Sequence, residues 1–346
     1  MLNSLTLQLR QTFSLSEQAV TAAVASLVDE RVDVQEKAAF LTALAQKGET
    51  VEEIGAFARA LLQHAVQPAI DPAVRQREIM DVCGTGGDRQ GTFNISTAVA
   101  LILASAGIPV AKHGNRAITS QSGSADVLET LGVPIDLSPQ EAAESLRDHH
   151  FAFFFAPSFH PCFKHIAPAR KLCAAQGQRT IFNVLGPLLN PARPSAQLIG
   201  VSSGQLCEPI GRVLQSLGVR RGMVVSGRVG ESWLDELSVL GPNTVAEFYQ
   251  DRAFMVGPVS FTGMRFQSAA MDDFAGGDRH RNALILQSIL NGTERGPKRD
   301  VVLLNAAAAL FVAGVVKTLL DGWDFAADLL DSGRADAKLQ ELARRR

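Results

Sequence analysis

Two successive segments constrain the fold of this chain more than anything else in it. "EIMDVCGTGGDRQGTFNISTAVALILASAG" and "IPVAKHGNRAITSQSGSADVLETLG" each pass from a short apolar stretch, through a glycine-bearing polar loop, into an apolar pattern of helical length. Each therefore predicts a strand, a loop and a helix. Strands joined through helices pair in parallel, and a parallel sheet needs cover on both faces. The alternation continues downstream. "SPQEAAESLRDHH" opens with the capping box Ser138, Pro139 and Glu141, and "FAFFFAP" is apolar enough for a buried strand. "AQLIGVSS", "GMVVSG" and "TVAEFYQ" predict further strands, with the helix "EPIGRVLQSLG" among them. The expected class is α/β with a mostly parallel central sheet.

Residues 1–70 lack this alternation and predict helices. "VEEIGAFARALLQHA" places Val51, Ile54, Ala58, Leu61 and Leu62 on one face. The Pro-bearing connector "QPAIDPAV" ends this region near residue 75. The tail "KRDVVLLNAAAALFVAGVVKTLL" predicts one long apolar helix on the sheet. A helical domain over 1–75 and an α/β domain over 76–346 follow, and 346 residues suffice for both.

Composition narrows the function classes. A formal net charge of −2 gives no support for a nucleic-acid or anionic-membrane partner. Four scattered cysteines without a CxxC pair argue against a disulfide framework or zinc site, and fit a reducing cytoplasm. The first residues lack a signal-peptide pattern, and the apolar runs around 98–107 and 301–316 are shorter than a membrane span. Ser-His-Asp and HExxH arrangements are missing from the sequence.

Several clusters have chemical content. In "GTGGDRQGTFNIST" the glycines let backbone N–H groups close on an anion, and the loop leads towards a helix N-terminus. Asn94, Ser96 and Thr97 can donate to phosphate, and Ser96 can also ligate Mg²⁺. Asp88 would repel phosphate, so it belongs beside a ribose hydroxyl or a metal. The plain alternative is a tight turn with Asn94 as helix cap. "KHGNRAITSQSGS" repeats the placement, with Lys112 and Arg116 as cations, and two such loops can grip one polyphosphate ligand. A polar loop with serine caps is equally compatible. The adjacent acids Asp235 and Glu236 of "WLDELS" form either a Mg²⁺ pair on a loop or a solvated pair. "FHPCFKHIAPARK" contains Arg170, whose planar guanidinium suits a carboxylate, unless the segment is a basic exposed helix face. "NVLGPLLNPARP" predicts a rigid turn.

In this order, "GTGGD", "TFNIST", "KHGNR", "SGSADVLE", "FAPSFHPCFKHIAPAR", "RTIFNVLGPLLNPARP", "LDELS" and "RDVVLLNAAAALFVAG" resemble the anthranilate phosphoribosyltransferase family over nearly the whole chain. The resemblance implies a small helical domain, completed by helices near 165–180, and a larger α/β domain of the nucleoside phosphorylase type. It implies a homodimer. It places phosphoribosyl pyrophosphate on Gly84, Gly87, Asp88, Thr92, Asn94, Ser96, Thr97, Lys112, Asn115, Ser120 and Ser124. Anthranilate would meet Gly84, Asn115 and Arg170, and Mg²⁺ would meet Ser96, Asp235 and Glu236. Arg89, Gln121, "SGRVGES" and a somewhat longer link "KLCAAQGQRT" depart from the family pattern. The longer link bears on the acceptor, so a same-fold phosphoribosyltransferase or nucleoside phosphorylase with another acceptor stands as an alternative. A non-catalytic nucleic-acid-binding relative is the other. An aromatic amine is a weak base and already uncharged, so no strong general base is expected.

Overall fold

The structure is a computed structural model, and it describes residues 1–117 and 121–344. The first region is helical: α1 (Leu2–Arg10), α2 (Glu17–Val28), α3 (Val34–Lys47), α4 (Val51–Gln63) and the short α5 (Pro72–Arg75). Side chains of Ser16, Asp33 and Thr50 cap α2, α3 and α4, each accepting from a first-turn N–H. Ile54, Ala58, Leu61 and Leu62 of the predicted α4 face are buried, and Val51 packs at its edge.

The alternating region follows as β1 (Met80–Gly84), α6 (Ile95–Ser105), β2 (Val110–Gly114), α7 (Ser124–Thr130), α8 (Pro139–His149) and β3 (Phe151–Phe155). After it come α9 (Ala156–Phe159), α10 (Ala167–Ala175), α11 (Phe182–Leu185), β4 (Ala196–Gly200) and α12 (Cys207–Ser216). The remaining strands are β5 (Arg221–Val229), β6 (Ser232–Leu234), β7 (Asn243–Tyr249) and β8 (Ala253–Pro258), and helices α13 (Arg279–Leu290), α14 (Pro297–Val312), α15 (Leu319–Asp331) and α16 (Arg334–Ala343) close the chain. The predicted capping box of α8 is present, with Ser138 and Glu141 satisfying each other's backbone N–H groups.

One eight-stranded sheet runs β3-β2-β1-β4-β5-β7-β8, with β6 paired to β5. The run from β3 to β5 is parallel, whereas β6, β7 and β8 pair antiparallel. Sequence patterning missed β6 and β8: the first has three residues, and the second is a short apolar run cut off by Gly257 and Pro258 that forms a largely exposed edge. Helices α13, α15 and α16 were missed as well.

Strand alternation divides the core. Leu198, Met223 and Val225 face α6 and α14, whereas Ile199 and Val224 face the N-terminal helices and α12. The N-terminal bundle thus shares a core with one sheet face. Helix α10 joins it by packing on α3, and the Lys37 Nζ donates to the carbonyl of His165, just before α10, at 2.9 Å.

The tail is not one helix. Gly314, at φ 74°, ends the α14 run, and Thr318 caps α15 through the Asp321 N–H. The chain then doubles back, so closely that a Cβ on Gly322 would lie 2.8 Å from the Ala307 carbonyl oxygen.

Candidate active site

The strand ends build the site. Gly84 and Gly200 are register partners at the C-terminal ends of β1 and β4. The segment carrying Asp235 crosses directly over them. A Cβ on Gly84 would sit 2.7 Å from Asp235 Oδ2, and one on Gly200 would sit 1.5 Å from the Asp235 carbonyl oxygen. No side chain fits in either place, so the two glycines bring the carboxylates onto the glycine loop. Gly86 N–H donates to Asp235 Oδ2 at 2.6 Å, and Asp88 Oδ2 accepts from the Asp235 N–H at 3.4 Å. The Ser96 N–H at the start of α6 is near enough to Glu236 to favour its ionised form.

Two asparagines hold this crossing. Asn305, fully buried on α14, accepts from the Leu237 N–H at 2.9 Å and donates to the Leu237 carbonyl at 3.0 Å. Asn243 does the same for Ser238. The sequence shows Asn305 only as a polar interruption in an apolar helix.

The electrostatics are lopsided. Burial pushes the Asp235 carboxyl up to about 8, and nearby Asp88 adds to the shift. Burial raises Glu236 far above the ordinary carboxylate range, with Asp235 adding to it. The neighbouring cation is Lys112, 1% exposed, which donates to the Val82 carbonyl at 2.7 Å and Ser96 Oγ at 3.2 Å. Its own pKa is lowered by burial, against the pull of Asp81. Asp81, missed by sequence analysis, is fully buried and raised to about 6 by burial, and Asn190 donates to it at 2.8 Å. Three carboxyls beside one lysine, itself depressed, leave a deficit of positive charge. A divalent cation answers that deficit.

Among the described residues no three His, Cys, Asp or Glu side chains are spaced to enclose a metal. Mg²⁺ does not need such a cage, because it is held by one or two carboxylates and completes its shell with water and substrate phosphates. Ser96, Asp235 and Glu236 fit that mode.

The other predicted residues fall as follows. Gly87 lies under the Arg179 guanidinium, so that a Cβ there would be 2.8 Å from Arg179 Nη2. Arg179 comes from the longer link and is a cation the sequence analysis did not assign. Thr92 bridges to Ala275. Asn94 stands at the α6 cap position, but its side chain does not cap. It accepts instead from Asn282 Nδ2 at 2.9 Å and donates to the Ser122 carbonyl at 3.5 Å. Thr97 is fully buried and its hydroxyl finds no hydrogen-bond partner among the described residues. Asn115 is exposed, with Oδ1 accepting from the Arg116 N–H at 2.8 Å. Ser124 opens α7 against Gly114, whose Cβ would lie 2.4 Å from Ser124 Oγ. Ser120 lies outside the described residues.

Two expectations change. Lys112 is buried beneath Ser96 and does not line the loop surface. Arg116 is no spare cation, since Glu129 and Asp126 pair with it at 2.8 and 3.1 Å and hold its charge.

A wall of rings leads away from β2. The His113 and His160 rings meet edge-on at 5.3 Å, His160 stacks on Phe163 at 5.0 Å, and Phe163 meets Phe182 at 5.8 Å. Arg170 on α10 lies over Phe182 at 5.1 Å, half-buried, and has no ion-pair partner among the described residues. Burial, helped by His160, pulls His113 down to about 3, so it is a neutral ring. Ile181, Asn183 and Val184 line a cavity of about 220 Å³ with Thr85, Arg179 and Ser202. A larger cavity, about 460 Å³, lies at the opposite ends of the strands, beside Ile79, Ser195 and Arg220.

Family models cover both regions of the chain. That for the α/β domain of the glycosyl transferase family matches residues 76–336, and that for its helical bundle domain matches 3–65. An anthranilate phosphoribosyltransferase from Petrotoga mobilis is 46% identical over 95% of this chain and 92% of its own length. The solved structure of the enzyme of that name from Thermus thermophilus superposes with a TM-score of 0.87 at 36% identity, covering 98% of both chains. That from Saccharomyces cerevisiae, in complex with PRPP and Mg, gives 0.88 at 28% identity over 99% of this chain and 97% of the other. With matches of this extent in sequence and fold, the chain belongs to the anthranilate phosphoribosyltransferase family, within the glycosyl transferases.

Proposed function

We propose that this protein transfers the phosphoribosyl group of phosphoribosyl pyrophosphate to anthranilate, releasing pyrophosphate, as a step of tryptophan biosynthesis. The observation that carries the reading is the buried Asp235–Glu236 pair, set against the glycine loop and short of positive charge. The solved yeast relative in complex with PRPP and Mg supports the donor and the ion.

The donor's pyrophosphate lies along the glycine loop towards the N-terminus of α6, where backbone N–H dipoles and the positive end of the helix dipole attract anions. Asp88 meets the ribose or a metal-bound water. Ser96, Asp235 and Glu236 would hold Mg²⁺, which would neutralise charge on the leaving pyrophosphate. Lys112 orients Ser96 from below. Arg170 takes the acceptor carboxylate, and Phe163 and Phe182 offer ring faces to its aromatic body. The amine nitrogen attacks the ribose C1 as the C1–O bond to pyrophosphate breaks, and the nitrogen then loses its proton. The rate enhancement comes from orientation and fixed electrostatics. We also place the domain division at residues 75 and 76, and expect a homodimer.

The test is loss of anthranilate fluorescence on addition of phosphoribosyl pyrophosphate and Mg²⁺. Turnover supports the reading. Silence with intact donor binding would mean another acceptor, and a DNA gel-shift run alongside tests the nucleic-acid alternative.

A further inference from the structure

A second Gly-Gly-Asp, in "FAGGDRHRNA", packs on the tail of the glycine loop. Gly276 N–H donates to the Gly91 carbonyl at 2.8 Å, Phe93 N–H donates to the Phe274 carbonyl at 3.1 Å, and Thr92 bridges to Ala275. A Cβ on Gly276 would lie 2.9 Å from both Phe93 N and Thr92 O, so the approach needs glycine. Asp278 caps α13, and one turn into that helix stands Asn282, 2% exposed. Neither proposed substrate accounts for it.

Its hydrogen bonds define a direction. Gly277 N–H can only donate, and it reaches Asn282 Oδ1 at 2.9 Å. The Asn282 amide orientation is therefore set, and its Nδ2 faces Asn94 Oδ1 at 2.9 Å. Asn94 must accept there, so its own Nδ2 points the other way, towards the Ser122 carbonyl and the second loop. A carboxamide that meets an anion must present N–H and not C=O. Asn282 selects that face of Asn94.

We propose that Asn282 is a positioning residue of the phosphoribosyl pyrophosphate site: through the Gly277–Asn282–Asn94 relay it holds the Asn94 amide with its N–H towards the donor's anionic groups. The inference rests on the donor assignment made above. In Asn282→Asp the Gly277 bond survives, but the second carboxylate oxygen cannot donate to Asn94. Asn94 then turns to donate to it and presents its carbonyl to the donor.

The test is a double-mutant cycle of Asn282→Asp with Asn94→Ala. It is read by calorimetric binding of phosphoribosyl pyrophosphate with Mg²⁺, by KM for each substrate and by thermal unfolding. A hydrogen bond to a charged group corresponds to roughly 10–100-fold in binding, so Asn282→Asp should weaken donor binding by about that factor and leave the KM for anthranilate within about threefold. In the Asn94→Ala background it should add almost nothing. Asn282→Ser, which buries no charge, runs the same cycle if the aspartate variant fails to fold. Unchanged donor affinity overturns the proposal, and so does an equal loss with and without Asn94, which would mark a merely structural role. If the unaltered protein binds no phosphoribosyl pyrophosphate, the donor assignment itself fails. If it binds and the cycle shows no coupling, only the Asn282 proposal fails.

Discussion

At one end of the parallel strands Asp81, Asp235 and Glu236 lie near a single buried lysine, while at the other Arg59, Arg75, Arg193 and Arg220 line the larger cavity. The arginine end is the calmer one. Arg59 pairs with Glu17, Arg220 with Glu78, and Arg75 donates to the carbonyl oxygens of Ala192 and Arg193. Most of these groups keep water on one side, so their charge is screened. The acidic end is buried and like-signed, an arrangement that disfavours the fold until a cation arrives. Cavity size points to the first end. Uncompensated charge points to the second, and the glycines that admit Asp235 show that the backbone is shaped around it.

Breaking the acidic end should have the largest effect. Replacing Asp235 and Glu236 together by alanine is expected to lower kcat by about a thousandfold or more and to abolish the response to Mg²⁺ titration. Gly200→Ala touches no substrate, yet its Cβ would strike the Asp235 carbonyl. Displacing the carboxylates by about 1 Å should cost roughly a hundredfold in activity and lower the melting temperature. Arg170→Ala should raise the KM for anthranilate by about 10–100-fold and that for the donor far less. Equal effects on the two KM values would undo its assignment to the carboxylate.

A subtler measure is stability against pH. The Asp235 carboxyl rises from 3.8 to about 8 on folding, so between those values the folded chain holds a proton that the unfolded chain has released. Its contribution to the stability of the metal-free protein should therefore fall as pH rises across that window, by at most about 1.4 kcal/mol per pH unit, with the raised Glu236 and Asp81 carboxyls adding to the slope. Asp235→Asn should make the slope shallower and raise the melting temperature near pH 8 while removing activity; an unchanged slope on calorimetry would show that other groups govern it. The smallest effect belongs to the arginine end. Arg193 sits at φ 48°, and Arg193→Gly removes both its charge and its left-handed backbone strain. Activity should stay within about twofold, and stability should hold or rise by up to about 1 kcal/mol. A large activity loss would mean that the cavity matters to catalysis.

Much of this was legible in the sequence because it is local. The glycine loop, the capping box at Ser138 and the strand–helix alternation each depend on residues a few positions apart, and the family resemblance rests on segments of the same kind. Asn282, Asn305, Asp81 and Arg179 were invisible because their roles depend on partners far away in the chain. Asn282 acts on a loop 188 residues earlier, and Asn305 holds a loop 68 residues away. The tail helix was overextended because Val315 and Val316 continue the apolar pattern, while the left-handed turn at Gly314 decides where the helix stops.

Sequence alone determined a helical region, a mostly parallel α/β body, a phosphate-binding style of loop and a carboxylate pair, since these follow from periodicity, turn chemistry and short motifs. Tertiary structure decided which of those polar residues face the open site and which lie behind it. It sent Lys112 below Ser96, gave Arg116 to Glu129 and Asp126, and turned Asn94 through Asn282. Burial and the direction of a hydrogen bond are properties of the assembled neighbours, and no single segment carries them.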